Sequence, residues 1–120
     1  MTSLPSDINA LSRNAPRRRI VASTAKTASS IVYEVPASKS LRIESLSVCN
    51  TAATTITFRL FILGANESTA VSNAVYYDNP LRGNATLLDD SIRYLNAGDR
   101  IALRADTASS VSLQIHGVEI

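Results

Sequence analysis

From Ile20 to the last residue, apolar and polar side chains trade places in short runs, and turn-forming clusters separate the runs. The cleanest run is 55–62. Ile56, Phe58, Leu60 and Ile62 fall on one side, Thr55, Thr57 and Arg59 on the other. A helix would set Ile56 and Phe58 about 200° apart, so the alternation predicts a strand. Ile31, Tyr33 and Val35 alternate with Val32 and Glu34 until Pro36 ends the run. Leu41 and Ile43 follow, and the apolar parity then shifts to Leu46 and Val48. A shift of one residue exchanges the two faces, which predicts a bulge or bend near Ser45.

Further short runs are expected at 74–77, 87–88 and 92–95. Ile101, Leu103 and Ala105 form one more, and Val111, Leu113 and Ile115 another, the last strand running into a sheet at the C-terminus. Pro36–Lys39, Asn50–Ala53, Gly64–Asn66, Asp78–Pro80, Arg82–Asn84, Asn96–Asp99 and Asp106–Ser109 supply the turns. Gly98, free to take positive φ, makes the 96–99 cluster a hairpin signal. Seven or eight strands spaced about every ten residues, with no helix between them, predict an all-β fold. An antiparallel β-sandwich, jelly-roll-like, buries the alternating faces on each other.

Residues 1–19 break the pattern. They carry Pro5, Pro16, serine, asparagine and a triple arginine, and only Ser6–Asp7 before Ile8 and Leu11 could open a helical turn. We divide the chain into an extended N-terminal basic arm, 1–19, and a β-sandwich domain, 20–120. The arm holds Arg13, Arg17, Arg18 and Arg19 against Asp7, a balance of +3, while residues 20–120 balance at −1. The net charge of +2 therefore belongs to the arm. Three partners suit the arginine cluster: an acidic protein surface, solvent, or nucleic acid. The arm has no aromatic side chain for base stacking, which disfavours nucleic acid.

Charged residues make up 18% of the chain, with Ser, Thr, Asn and Ala in their place. Such a surface either packs against other subunits or forms a soluble Ser/Thr-rich face. Met1–Ala10 lack a basic start followed by an apolar core, and no apolar run is long enough to span a bilayer. The expectation is a protein made in the cytoplasm, with no membrane partner.

Candidate chemistry is sparse. His116 is the one histidine and falls on the Ser112/Gln114 side of its strand, a surface or interface position. Cys49 is the one cysteine, which excludes an intrachain disulfide, and reads as a small buried hydrophobe. One histidine and one cysteine on separate strands do not make a zinc site. Asp89 and Asp90 are adjacent, and adjacent strand residues point apart, so they read as a solvated loop pair rather than a calcium or glycosidase dyad. The four glycines form no phosphate-cradling motif, and Asn66–Ser68 and Asn84–Thr86 match the glycosylation pattern by chance. Tyr76 and Tyr77 read as core or interface residues, a carbohydrate platform being the alternative. We expect no catalytic residue, no metal, no cofactor and no enzymatic activity. A jelly-roll metal isomerase would need several histidines.

Two stretches carry a resemblance. Val32–Tyr33–Glu34–Val35–Pro36–Ala37–Ser38–Lys39–Ser40 leads into Leu41–Thr51 with its Cys49–Asn50–Thr51 close. Leu95–Asn96–Ala97–Gly98–Asp99–Arg100–Ile101 is followed by Val111–Ile120 with Gly117–Val118–Glu119. Over about 31–63 and 86–120 the chain resembles small virion structural proteins of tailed bacteriophages, of the capsid cement or decoration type. Residues 64–85 match nothing in that pattern. The resemblance implies a β-sandwich, often a homotrimer, bound to the major capsid protein on the outside of the shell. A tail, fibre or collar component that binds other tail proteins or host surface glycans is the second reading. In both, Arg13, Arg17, Arg18 and Arg19 are the expected partner-binding residues.

Overall fold

The computed structural model describes residues 17–120. Nine strands are present among them: β1 (Arg18–Thr24), β2 (Ser30–Glu34), β3 (Leu41–Asn50), β4 (Ile56–Leu63), β5 (Ala74–Leu81), β6 (Thr86–Asp89), β7 (Arg93–Leu95), β8 (Arg100–Ala105) and β9 (Val111–Glu119). A 3-10 turn, Val71–Asn73, precedes β5. The strands form two antiparallel sheets. The first has the order β1-β9-β3-β6, with β7 also paired to β3; the second has the order β2-β8-β4-β5.

The pairings nest. β1 pairs with β9, β2 with β8, β3 with β6 and β7, and β4 with β5. Rolling that long antiparallel ribbon over on itself sets β9 beside β3 and β8 beside β4. The result is the β-sandwich that the alternation predicts, its strands in jelly-roll order with β6 and β7 sharing one position.

The core lies between the sheets. Ile43, Leu46, Val48, Leu113 and Ile115 face Ile56, Phe58, Leu60, Ile101 and Leu103 in one buried cluster. Each large aliphatic or aromatic side chain so buried contributes about 1.5–3 kcal/mol. The register of β3 against β9 shifts between Ile43 and Ser45, where the change of parity places a bend. Gly117 sits opposite Ile43, and a Cβ there would lie 2.1 Å from the Arg42 carbonyl oxygen. The two backbones approach because that position has no side chain.

Several expectations change. β1 begins at Arg18, so Arg18 and Arg19 belong to a strand of the sandwich rather than to the arm. Ile31 is 45% exposed, because the β2–β8 register slips between Ile31 and Tyr33 and turns Ile31 outward. Cys49 is half-buried on the outer side of β3, since its neighbours Val48 and Asn50 take the inner positions. Phe61 and Leu63 are buried although they oppose the inward face of β4. With Ala102 and Ala74 they form a second, smaller cluster outside the second sheet. The 64–70 loop is tied there by the Arg100 guanidinium, which donates to the carbonyls of Gly64 and Glu67.

Candidate functional site: two outer sheet faces

Because Leu113, Ile115, Leu46 and Val48 point inward, their alternates on β9 and β3 point out. Register then fixes two rows across the first sheet. Thr24, Ser112, Cys49 and Thr86 make one row; Ala22, Gln114, Ser47 and Leu88 make the next. None of these eight side chains carries a formal charge, and Leu88 is 68% exposed. β1 and β9 also frame a shallow open depression of about 500 Å³ lined by Ala22, Ser23, Thr24, Ser112, Leu113 and Gln114. His116 and Arg19 stand opposite each other at the next row, with Ser45 on the far side. His116 is thus half-buried on the Ser112/Gln114 side, as expected.

The outer face of the second sheet is built differently. Arg59 on β4 and Arg104 on β8 are direct cross-strand partners. Across from them, the β4–β5 register runs from Phe58–Asn79 to Leu60–Tyr76. Two residues, Tyr77 and Asp78, therefore oppose the single residue Arg59, and the bulge aims both at its guanidinium. Arg59 Nε and Nη2 donate to the Asp78 carboxylate at 2.6 and 3.0 Å, and its Cζ lies 4.1 Å from the Tyr77 ring centre. Asp78 takes φ 47°, a left-handed conformation tolerated by aspartate better than by bulkier residues. The Arg59 guanidinium, with a further contribution from Arg104, holds the Asp78 carboxyl below its ordinary range. Arg104 Nε donates to the Thr27 carbonyl at 3.0 Å.

Other polar side chains work within the fold. The Asp89 carboxylate accepts from the Tyr76 hydroxyl at 2.6 Å, the Ser91 N–H at 2.8 Å and Arg93 at 3.0 Å. It is therefore not a solvated partner of Asp90. The hydrogen bond from the Tyr76 hydroxyl chiefly pulls its pKa down; burial opposes it, and the Ser91 hydrogen bonds and Arg93 add to the lowering. Tyr76 packs on Phe58 with ring centres 5.5 Å apart, a core position, whereas Tyr77 is 43% exposed. Burial, then the hydrogen bond to Asp89, pushes the Tyr76 hydroxyl up to about 12. Tyr33 is likewise pushed to about 12, by burial and then by its hydrogen bond to Glu119.

Of the arginines singled out from the sequence, Arg13 lies outside the described residues. Arg17 pairs with Glu44 at 3.3 Å and donates to the Ser45 hydroxyl at 3.2 Å; Arg18 meets Glu119 at 3.4 Å. Arg19 is exposed. Arg17 lies just before β1 and Arg18 and Arg19 open it, and Arg17 and Arg18 turn to different partners. Arg59 and Arg104 were missed, because no local pattern joins positions so far apart in the chain; Tyr77 was read with Tyr76 as a core or interface residue and not joined to them. Among the described residues no group of three or more His, Cys, Asp or Glu could hold a metal ion, and no helix is long and apolar enough to cross a membrane.

Neither a protein-family model nor a curated protein sequence matches the chain. A structural match is found to a chain in the structure of infectious bursal disease virus, Gx strain, at 15% sequence identity and a TM-score of 0.43. The match covers 85% of this chain and 31% of the viral one, so the chain spans about a third of its neighbour's length.

Proposed function

We propose that the chain is a non-enzymatic virion structural protein that decorates the outside of a capsid shell, binding the major capsid protein and copies of itself. The observation that carries this reading is the pair of uncharged rows on the outer face of the first sheet, four strands wide and bounded by Arg19 at the next row. Jelly rolls serve as capsid, lectin and cupin domains alike, so the fold alone does not choose among them. A flat face of Ser, Thr, Ala, Gln and Cys with one exposed leucine suits sheet-to-subunit packing, because burying it strands no charge. The sequence resemblance to phage decoration proteins points the same way.

Size decides what kind of assembly fits. Two rows across four strands cover an area of about 19 by 14 Å, roughly a third of what one partner contributes to a standard stable interface. One such contact is weak. Repeated around a symmetric oligomer, a trimer in this reading, and over a whole shell, it becomes strong through effective concentration.

The test is made on particles. Decoration of a shell predicts on the order of hundreds of copies per particle on a stained gel, and a tail or collar part about a dozen. Leu88→Glu, and separately deletion of residues 1–16, which leaves β1 intact, should each lower retention on sedimented particles without lowering the melting temperature. A chain that does not sediment with particles, or both variants retained like the parent, overturns the reading.

A further inference from the structure

We propose that the outer face of the second sheet is a separate docking surface, centred on Arg104, Arg59 and Tyr77, for a protein partner that presents an aspartate or glutamate carboxylate beside apolar side chains. Like charges placed directly opposite each other on a sheet repel, and Arg59 faces Arg104 in that way. Asp78 answers only part of the cost. Its carboxylate is gripped by the fork of Arg59, whereas Arg104 is held by Nε alone on the Thr27 carbonyl. The terminal amino groups of Arg104 have no hydrogen-bond acceptor among the described residues, and its planar edge matches a carboxylate.

The neighbouring acids do not fill that place. Asp106, just past the end of β8, accepts from the Thr57 N–H at 3.3 Å and the Thr57 hydroxyl at 3.2 Å and makes no ion pair with Arg104. Arg100, on the same face, is turned to the carbonyls of Gly64 and Glu67. One row from Arg104, Ile31 stands opposite Ala102 and is exposed, as is Tyr77 on the other flank. Arginine and tyrosine are among the residues enriched at interface hot spots. Here they are already fixed: Arg59 between Asp78 and Tyr77, Arg104 on Thr27. Less side-chain freedom is then lost on binding.

Two faces of different chemistry divide the work. The uncharged rows of the first sheet meet surfaces like themselves, and the arginine face of the second meets an acidic one. The identification of that acidic surface with a shell protein rests on the proposed function; the carboxylate site does not.

The test uses the whole chain labelled with ¹⁵N and a capped peptide of alternating glutamate and leucine, at low salt. Adding the peptide should move the Arg104 and Arg59 side-chain Nε–Hε signals and the Tyr77 amide, and leave Ser47 and Gln114 in place. Arg104→Gln should weaken binding by about tenfold, the scale of one charge-assisted pair, with the melting temperature equal to or above the parent's. A still Arg104 signal, equal affinity in Arg104→Gln, or movement centred on Arg13 and Arg17–Arg19 instead, overturns the proposal. So does a hyaluronate oligosaccharide that displaces the peptide, which would make the face a site for acidic sugars. Peptide binding at Arg104 by a chain that does not sediment with particles would sink the virion reading and leave this site standing.

Discussion

Asn50→Asp exchanges one atom in the one buried polar side chain among the described residues. Asn50 Nδ2 lies 2.9 Å from the Thr54 carbonyl, 3.0 Å from that of Leu81 and 3.1 Å from that of Arg82, and Oδ1 accepts from the Ala52 N–H at 2.9 Å. An amide nitrogen has two hydrogens, so two of these carbonyls share one donor. Aspartate keeps the Ala52 contact, loses both donors and turns a carboxylate toward three carbonyl oxygens. Two buried hydrogen bonds lost at about 1–3 kcal/mol each give about 2–6 kcal/mol, a large part of the 5–15 kcal/mol that holds a domain together. The new carboxyl, desolvated and facing carbonyls, has a folded pKa above its unfolded value of about 3.9. A raised folded pKa means the charge penalty is absent below about 3.9 and grows as pH rises toward the folded value. Urea unfolding followed by far-ultraviolet circular dichroism, at neutral and at acid pH, should show the gap between parent and variant narrowing in acid. A gap below about 1 kcal/mol at neutral pH, or one that does not shrink in acid, refutes the account of Asn50 as the donor that ties the 50–54 turn to the 81–82 loop.

Gly117→Ala should cost about 2–4 kcal/mol in the same unfolding assay, because its methyl would overlap the Arg42 carbonyl and force β9 from β3. In an alkaline titration read by phenolate absorbance, two of the four tyrosines, Tyr33 and Tyr76, should ionise only at about 12. Their raised folded values stabilise the fold below pH 10 and lose that contribution as pH rises through about 12. Asp89 runs the other way. Its depressed folded value adds stability above pH ~4 that is lost as pH falls, and Asp89→Asn should flatten the acid side of the melting-temperature profile.

What the residues dictate locally was legible in the sequence. The alternation Ile56, Phe58, Leu60 against Thr57 and Arg59 is a property of near neighbours, and it survives as the inner and outer sides of β4. The parity change after Ile43 is equally local, and it marks the bend at Ser45. Asn50, by contrast, looked like a turn residue, because the carbonyls that bury it arrive from 81–82. Tertiary pairing decided the rest. That Arg18 meets Gly117, that Ala74 and Ala102 pack with Phe61 and Leu63, and that Arg59 faces Arg104 all depend on which strands lie side by side. A strand's own pattern says which face is buried, but its partner is chosen by the packing of the whole chain. The buried face of most strands was therefore written along the chain, with Ile31 turned out by a register slip and Phe61 and Leu63 buried by a second cluster as exceptions, and the neighbours of each outward side chain were fixed only when the ribbon rolled up.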